Sequence, residues 1–231
     1  MRLVMLRHGA TVGNEEHRYV GRRTDEPLSD LGRAQCARLG TFGQVGAVYT
    51  SPLLRARQTA QLCFPAARII PVEGLAEYDF GVFEGRSAQQ MEHDVQYTSW
   101  VNGGCMGPCP GGESFGEFSG RSNEALVGVL TGAYERGEEQ VVVVAHGGNI
   151  MAAFNAFVQG LDSNEPFYHW HVGNCEGYAA DVEFVEQGEH LCPAIRSWCV
   201  MGALTHSSRP RDTSALSYDM SGSLRERYPP Q

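Results

Sequence analysis

Two histidines in this sequence stand in the same local pattern, with an apolar run before them and a glycine after them. His8 follows the segment LVMLR, and His146 follows the segment VVVVA. Ligands of open α/β sheets bind beyond the carboxyl ends of the strands, and glycine allows the backbone to turn sharply close to a ligand. One such histidine alone would be interpreted as structural. Two of them favour a site in which both imidazoles meet.

Two arginines are placed to bind an anion beside these histidines. Arg7 directly precedes His8, and Arg55 lies at the start of a predicted helix in the segment SPLLRARQTA. A guanidinium group donates two parallel hydrogen bonds and keeps its charge at any working pH, which suits a phosphoryl group. Arg57 is interpreted as part of a solvated helix face. Two histidines and a carboxylate could also bind zinc, but the sequence has no HExxH pattern and no metal-type Cys/His spacing, so no metal is expected.

The predicted elements alternate between strands and helices. Strands are predicted at 2–7, 45–50, 68–72, 141–145, 176–185 and 193–200, and Pro71 favours an edge position for the third. Helices are predicted from a Ser29 cap to residue 39, at 53–64, from about 114 to 136, and at 149–158, with 12–20 irregular. The four consecutive valines at 141–144 are typical of a strand buried on both faces. The pattern therefore predicts an α/β fold, a three-layer α/β/α sandwich with a mostly parallel central sheet.

The composition limits the classes of partner and compartment. A chain of 231 residues is long enough for one domain with a sizeable core, and its net charge of −9 argues against nucleic acid or an anionic membrane as partner. The apolar runs are too short to span a bilayer or to form a signal peptide, and the seven cysteines are scattered. We therefore expect a reduced, cytoplasmic protein. Its oligomeric state is left open.

Several segments, in this order along the chain, resemble those of one family. The segments LRHGAT at 6–11, SPLLRARQTA at 51–60 and AHGG at 145–148 are similar to the signature segments of the histidine phosphatase superfamily, which has the phosphoglycerate mutase-like fold. Three more segments resemble its phosphatase branch: YVGRRTDEPLSDLGRAQ at 19–35, LAEYDFGVFEG at 75–85 and PGGESF at 110–115. The resemblance implies a histidine phosphatase domain over 1–205. The Ser-, Arg- and Pro-rich remainder, 206–231, is expected to be a polar C-terminal tail.

The resemblance also implies a role for individual residues. His8 would be the nucleophile that forms a phosphohistidine, and Glu77 would protonate the leaving oxygen and then deprotonate water. The other predicted catalytic and substrate-binding residues, which would contact the phosphoryl oxygens, are His146 as an imidazolium, Arg7, Asn14, Arg55 and Gly147. No cofactor is implied, and the expected substrate is a small phosphorylated metabolite.

Three alternatives remain within this resemblance. Mutases of the family carry an arginine directly after the acidic residue, whereas this chain has Tyr78, which favours hydrolysis. The segments FGVFEG and PGGESF are similar to those of α-ribazole phosphatases, but broad-specificity phosphatases share them. Mutase-type transfer and a non-catalytic regulatory member are the other possibilities. Cys105 and Cys109, in the Gly/Pro-rich loop 102–113, are predicted to be unpaired surface thiols.

Overall fold

A computed structural model of the chain describes residues 1–43, 45–160, 167–187 and 190–202. The strands are β1 (Arg2–Arg7), β2 (Ala47–Thr50), β3 (Arg68–Pro71), β4 (Gln140–Ala145), β5 (Gly177–Gln187) and β6 (His190–Met201). The helices are α1 (Val12–Glu15), α2 (Asp30–Leu39), α3 (Leu54–Cys63), α4 (Val95–Asn102), α5 (Phe115–Glu135) and α6 (Gly147–Phe157). The predicted tail, 206–231, lies outside the described residues.

The six strands form one sheet in the order β3-β2-β4-β1-β5-β6. The pairs β3–β2, β2–β4 and β4–β1 are parallel, whereas β1–β5 and β5–β6 are antiparallel. The mostly parallel sheet is therefore confirmed. Pro71 ends the edge strand β3, where its missing N–H costs no sheet hydrogen bond.

Side chains on the two faces of the sheet enter two separate cores, because successive residues of a strand point to opposite faces. Leu3 and Val143 pack with residues of α5 and α6 on one face. Leu6 and Val144 pack with residues of α2 and α3 on the other. The valines of β4 are thus buried on both sides, and the three-layer sandwich is confirmed.

Four predicted helices correspond to α2, α3, α5 and α6, although α6 begins at Gly147, two residues before its predicted start. Ser29 accepts a hydrogen bond from the Gly32 N–H at the start of α2, and Ser114 forms a capping box with Glu117 at the start of α5. Two helices were not predicted. The short α1 falls in the stretch expected to be irregular, where Thr11 caps it, and α4 is capped by Asp94.

The predicted exposure of two cysteines is wrong. Cys105 and Cys109 are free thiols, as expected, but both are buried, with 9% and 1% of their surface exposed. They belong to an aromatic cluster with residues such as Trp100 and Tyr78, so the loop folds inward although its Gly/Pro content suggested a surface loop. Within the described residues, no helix has the length and apolar character needed to cross a membrane.

Candidate active site

The parallel pairing of β1 with β4 brings the two histidines together. Arg7 stands opposite Ala145 in the register, so the next residues of both strands, His8 and His146, leave the same edge of the sheet. Their ring centroids are 5.0 Å apart with an angle of 67° between the ring planes. Both side chains are buried. The predicted meeting of the two imidazoles is confirmed.

The hydrogen bonds of His8 indicate which of its ring nitrogens carries the proton. Nδ1 lies 2.7 Å from the carbonyl oxygen of Gly9, which can only accept, so Nδ1 carries the proton. Nε2 is then unprotonated, and Nε of Arg55 donates to it at 3.3 Å. Burial, followed by the charges of Arg55 and Arg7, lowers the pKa of His8 well below 6.5. His8 is therefore a neutral imidazole whose Nε2 lone pair accepts from Arg55.

Arg55 is fully buried and is held by backbone oxygens. Its Nη1 donates to the Thr24 carbonyl at 2.7 Å, and its Nη2 donates to the carbonyls of Gly21 at 3.1 Å and Val20 at 3.3 Å. Burial lowers the pKa of Arg55 to about 10, so the guanidinium remains charged at neutral pH. The segment 20–24 thus fixes a permanent positive charge against His8.

Arg7 supplies a second buried guanidinium group at the same edge. Its Nη1 donates to the Val172 carbonyl at 2.8 Å, whereas its Nε has no hydrogen-bond partner among the described residues. Burial lowers the pKa of Arg7, and the charges of Glu77 and Glu176 oppose that shift. An unpaired buried N–H is costly unless a ligand accepts from it, so Nε is a candidate donor to an anion.

His146 has one satisfied and one unsatisfied ring nitrogen. Nε2 lies 2.7 Å from Oγ of Ser51, and Nδ1 has no hydrogen-bond partner in the described part of the chain. The nearest carboxylate oxygen to Nδ1 in an ion-pair geometry is Oε2 of Glu77, at 3.9 Å. Burial and the charge of Arg55 lower the pKa of His146 well below 6.5. These neighbours favour a neutral ring.

Glu77 is buried beside His146. Its Oε1 accepts a hydrogen bond from the N–H of Tyr78 at 2.8 Å. Burial raises the pKa of Glu77, against the opposing effects of that hydrogen bond and of the arginine charges, including that of Arg55. A carboxyl group that holds its proton to higher pH is suited to general acid catalysis.

Asn14 and Gly147 lie at the edges of this group. Oδ1 of Asn14 accepts from the side-chain amide of Asn174 at 3.3 Å, and the same amide donates to the His8 carbonyl at 3.0 Å. A Cβ atom on Gly147 would stand 3.7 Å from Nε of Arg7, an ordinary contact distance. Asn14 is thus linked to His8 through the Asn174 side chain, and Gly147 lies directly against the Arg7 side chain.

Three residues of the site were not predicted. Ser51 lies in the segment SPLLR but was not singled out, and it binds His146. Arg121 of α5 contacts the backbone around Glu77. It lies eight residues after Glu113 of PGGESF, and this nearby opposite charge is the sequence feature from which their ion pair could have been predicted. Asn174 had no signal, because its partner His8 is 166 residues away.

The class of fold follows from this architecture. The phosphoglycerate mutase of Thermus thermophilus superimposes with a TM-score of 0.56 at 31% identity, over 78% of this chain and 93% of that one. The fold is therefore phosphoglycerate mutase-like, and the site contains the histidine pair and arginines expected for phosphoryl transfer.

The family follows from a sequence comparison. The model of the histidine phosphatase superfamily (branch 1) matches residues 3–189, and the chain belongs to this superfamily. An Escherichia coli protein provisionally assigned as an alpha-ribazole-5'-P phosphatase has a similar structure, with a TM-score of 0.68, 26% identity, and coverage of 87% of this chain and 96% of that one.

Curated relatives include phosphatases. An acid phosphatase of Mycobacterium tuberculosis is 32% identical over 68% of this chain and 76% of its own length. A metal-independent phosphoserine phosphatase of Arabidopsis thaliana is 30% identical over 71% of each protein. A bifunctional protein of Mycobacterium tuberculosis is 35% identical over 63% of this chain, and the match spans only 41% of that protein. Of these three relatives, the two that are matched over more than two thirds of their own length are both named as phosphatases.

Proposed function

We propose that this chain is a phosphomonoester hydrolase that transfers the phosphoryl group first to His8 and then to water. The observation that carries the proposal is the unprotonated Nε2 of His8, fixed by the Gly9 carbonyl at Nδ1 and lying 3.3 Å from Nε of Arg55. A phosphate monoester is a dianion near neutral pH. A neutral nucleophile between two guanidinium groups therefore attacks it without charge repulsion.

In the first step, Nε2 of His8 forms a bond to phosphorus while the bond from phosphorus to the ester oxygen breaks. The electron pair of that bond leaves with the oxygen, and Glu77 gives the oxygen its proton. The products are a phosphohistidine, a free alcohol and a Glu77 carboxylate. The raised pKa of Glu77 supports this role, because the group must enter the step protonated.

In the second step, a water molecule attacks the phosphohistidine from the position that the alcohol has left. The Glu77 carboxylate takes a proton from the water as its oxygen bonds to phosphorus, and the bond between phosphorus and Nε2 breaks. Inorganic phosphate leaves, His8 regains its lone pair and Glu77 regains its proton. One carboxyl group therefore serves as acid and then as base.

The remaining predicted residues stabilise the transferred group. Among the described residues, Nε of Arg7 and Nδ1 of His146 are buried nitrogens of this site without a hydrogen-bond partner, and they would donate to its oxygens. Oγ of Ser51 accepts from the Leu53 N–H, and its own hydroxyl can donate to Nε2 of His146, which leaves the proton of a neutral ring on Nδ1. A bound dianion would also raise the pKa of His146 towards the imidazolium form. Asn14 and Gly147 would border the same oxygens.

We propose that the reaction needs no metal and no cofactor, because the arginines supply the positive charge. The relative named as a metal-independent phosphoserine phosphatase supports this. The substrate would be a small phosphorylated metabolite, and α-ribazole 5'-phosphate is the first candidate because of the similarity to the Escherichia coli protein. The catalytic domain would extend over 1–205, and the reaction would take place in the cytoplasm.

The test is phosphate release from p-nitrophenyl phosphate in EDTA, followed by a panel of phosphorylated metabolites that includes α-ribazole 5'-phosphate. We expect turnover in EDTA, an acid-labile phosphoryl group on the wild-type protein after a rapid quench, and neither of these for His8→Ala. Full turnover by His8→Ala, or loss of activity in EDTA that zinc restores, would refute the proposal. Interconversion of phosphoglycerate isomers without phosphate release would indicate a mutase, and no reaction at all a non-catalytic member.

A further inference from the structure

Glu77 follows a single 3-10 turn, Glu73–Leu75, and a side chain from another element holds this segment. Nη1 of Arg121, on α5, donates to the carbonyls of Gly74 at 2.9 Å and Ala76 at 3.0 Å. Its Nη2 donates to the carbonyl of Glu77 itself at 3.3 Å. One guanidinium group thus binds three carbonyl oxygens within four consecutive residues.

Glu113 fixes both this guanidinium group and the other end of the segment. Nε and Nη2 of Arg121 donate to its two carboxylate oxygens, each at 2.9 Å, a bidentate pair. Oε2 of Glu113 also accepts from the Asp79 N–H at 3.1 Å, and the Glu113 N–H donates to the Asp79 carbonyl at 3.0 Å. The backbone is therefore held on both sides of Glu77.

The Glu77 carboxyl group is closely packed by its neighbours. Oε1 is held by the Tyr78 N–H, and a Cβ atom on Gly148 would stand only 2.6 Å from it. Proton transfer to a leaving oxygen needs heavy atoms within hydrogen-bond reach, so a small shift of the backbone would separate them. Removing the contacts of Arg121 should therefore affect the acid step first.

We propose that Arg121, paired with Glu113, is the positioning residue that holds Glu77 against the leaving oxygen and so allows the site to hydrolyse phosphate esters of alkyl alcohols. This inference rests on the proposed function. Arg121 acts through Glu77 and does not touch the substrate. Alkoxides are poor leaving groups and need the proton, whereas p-nitrophenolate leaves with little help. The two classes of ester therefore report separately on Glu77.

The experiment compares glycerol 2-phosphate with p-nitrophenyl phosphate for wild type, Arg121→Gln and Arg121→Lys. We expect Arg121→Gln to lower kcat/KM, which reports formation of the phosphohistidine and not its shared hydrolysis, by about 10²-fold for the alkyl ester and by less than about tenfold for the aryl ester. Lysine keeps the charge but cannot form the bidentate contact, so Arg121→Lys should lie between. Arg196→Gln, which removes an exposed ion pair with Glu183, is the matched control and should leave both rates unchanged.

The pH profile for the alkyl ester gives a second reading. The charge of Arg121 lowers the pKa of Glu77, so Arg121→Gln should move the alkaline limb to higher pH, while Arg121→Lys should leave it in place. If Arg121→Gln does not fold, Glu113→Gln should show the same selective loss in smaller degree.

Equal losses of kcat/KM for the two esters, together with an unmoved alkaline limb, would overturn the inference, because a structural role alone predicts that result. Failure of the proposed function would look different. In that case the wild-type protein would release phosphate from neither ester.

Discussion

At the scale of single residues, His8 and His146 differ in what their ring nitrogens contact. The Gly9 carbonyl accepts from Nδ1 of His8, so the lone pair of that ring is on Nε2. Oγ of Ser51 contacts Nε2 of His146, and Nδ1 of that ring has no hydrogen-bond partner among the described residues. In the proposed mechanism, the same residue type in the same sequence pattern therefore attacks phosphorus in one case and binds its oxygens in the other.

The first prediction concerns the dependence of hydrolysis on pH. His8 must be neutral and Glu77 protonated in the first step. The pKa of His8 lies below 6.5 and that of Glu77 above 4.5, so kcat/KM for an alkyl phosphate should fall at both acid and alkaline pH. In Glu77→Gln the activity should be low and its alkaline limb absent. Ionisation of the substrate affects both proteins equally, so an unchanged alkaline limb in the variant would contradict the role of Glu77.

The second prediction concerns Arg55. In Arg55→Lys, a single ammonium group would have to replace donors to His8 and to three carbonyl oxygens, which it cannot reach together. We expect kcat to fall by about 10²–10³-fold, measured as phosphate release.

The control for Arg55 lies on the same helix. Arg57, predicted to be solvated, is half-buried with an unpaired Nε, and Arg57→Lys should retain near wild-type kcat. Equal losses for the two variants would mean that loss of helix packing, and not the contact with His8, explains the effect.

At the scale of elements, the site depends on how closely α6 approaches the segment that carries the acid. Gly148 lies in the first turn of α6, where a Cβ atom would come within 2.6 Å of Oε1 of Glu77 and 2.9 Å of Cζ of Phe118. No side chain larger than hydrogen fits unless Glu77 or Phe118 moves. Gly148, the second residue after His146, is thus needed because of the limited space and not because of an unusual backbone angle.

The third prediction is that Gly148→Ala displaces Glu77. We expect a loss of activity that is larger for alkyl than for aryl phosphates, and a loss of stability of about 1–3 kcal/mol from overpacking. Gly128→Ala on the exposed face of α5 is the control, because nothing lies within 4 Å of its Cβ position. That variant should gain about 0.5–1 kcal/mol in urea unfolding. An active, fully stable Gly148→Ala would show that this approach is not critical.

At the scale of the whole molecule, the fold buries groups that would be charged in the unfolded chain. His8 and His146 are held neutral, whereas the unfolded chain protonates histidine near pH 6.5. Below that pH the unfolded state binds more protons than the folded state. Each histidine therefore reduces the free energy of unfolding as the pH falls through 6.5, by up to about 1.4 kcal/mol per pH unit.

The fourth prediction follows from this linkage. The free energy of unfolding in urea should drop between pH 7 and pH 5, and His146→Asn should show a smaller drop than the wild type. His93→Asn is the control, because 93% of that side chain is exposed and its removal should leave the pH dependence unchanged. A drop of the same size in His146→Asn as in the wild type would contradict the neutral state of the buried ring.

The sequence by itself determined the order of the six strands and of four of the six described α-helices, the mostly parallel sheet and the placement of both histidines at strand ends. These features depend on residues that are neighbours along the chain. Four consecutive valines indicate that β4 is buried on both faces, and the glycines after His8 and His146 mark where each strand ends. Arg7 and Arg55 could be predicted for a similar reason, because Arg7 ends β1 and Arg55 lies in the first turn of the helix that follows β2.

Only the tertiary structure decided which nitrogen of each histidine is free, how Arg55 is held and what positions Glu77. The partners in these contacts are distant along the chain: Thr24 is 31 residues from Arg55, and Ala76 is 45 residues from Arg121. The inward packing of Cys109 likewise depends on an aromatic cluster assembled from several segments. Hydrophobic periodicity and turn residues specify neighbours along the chain, whereas a hydrogen bond between distant segments exists only after the layers have packed.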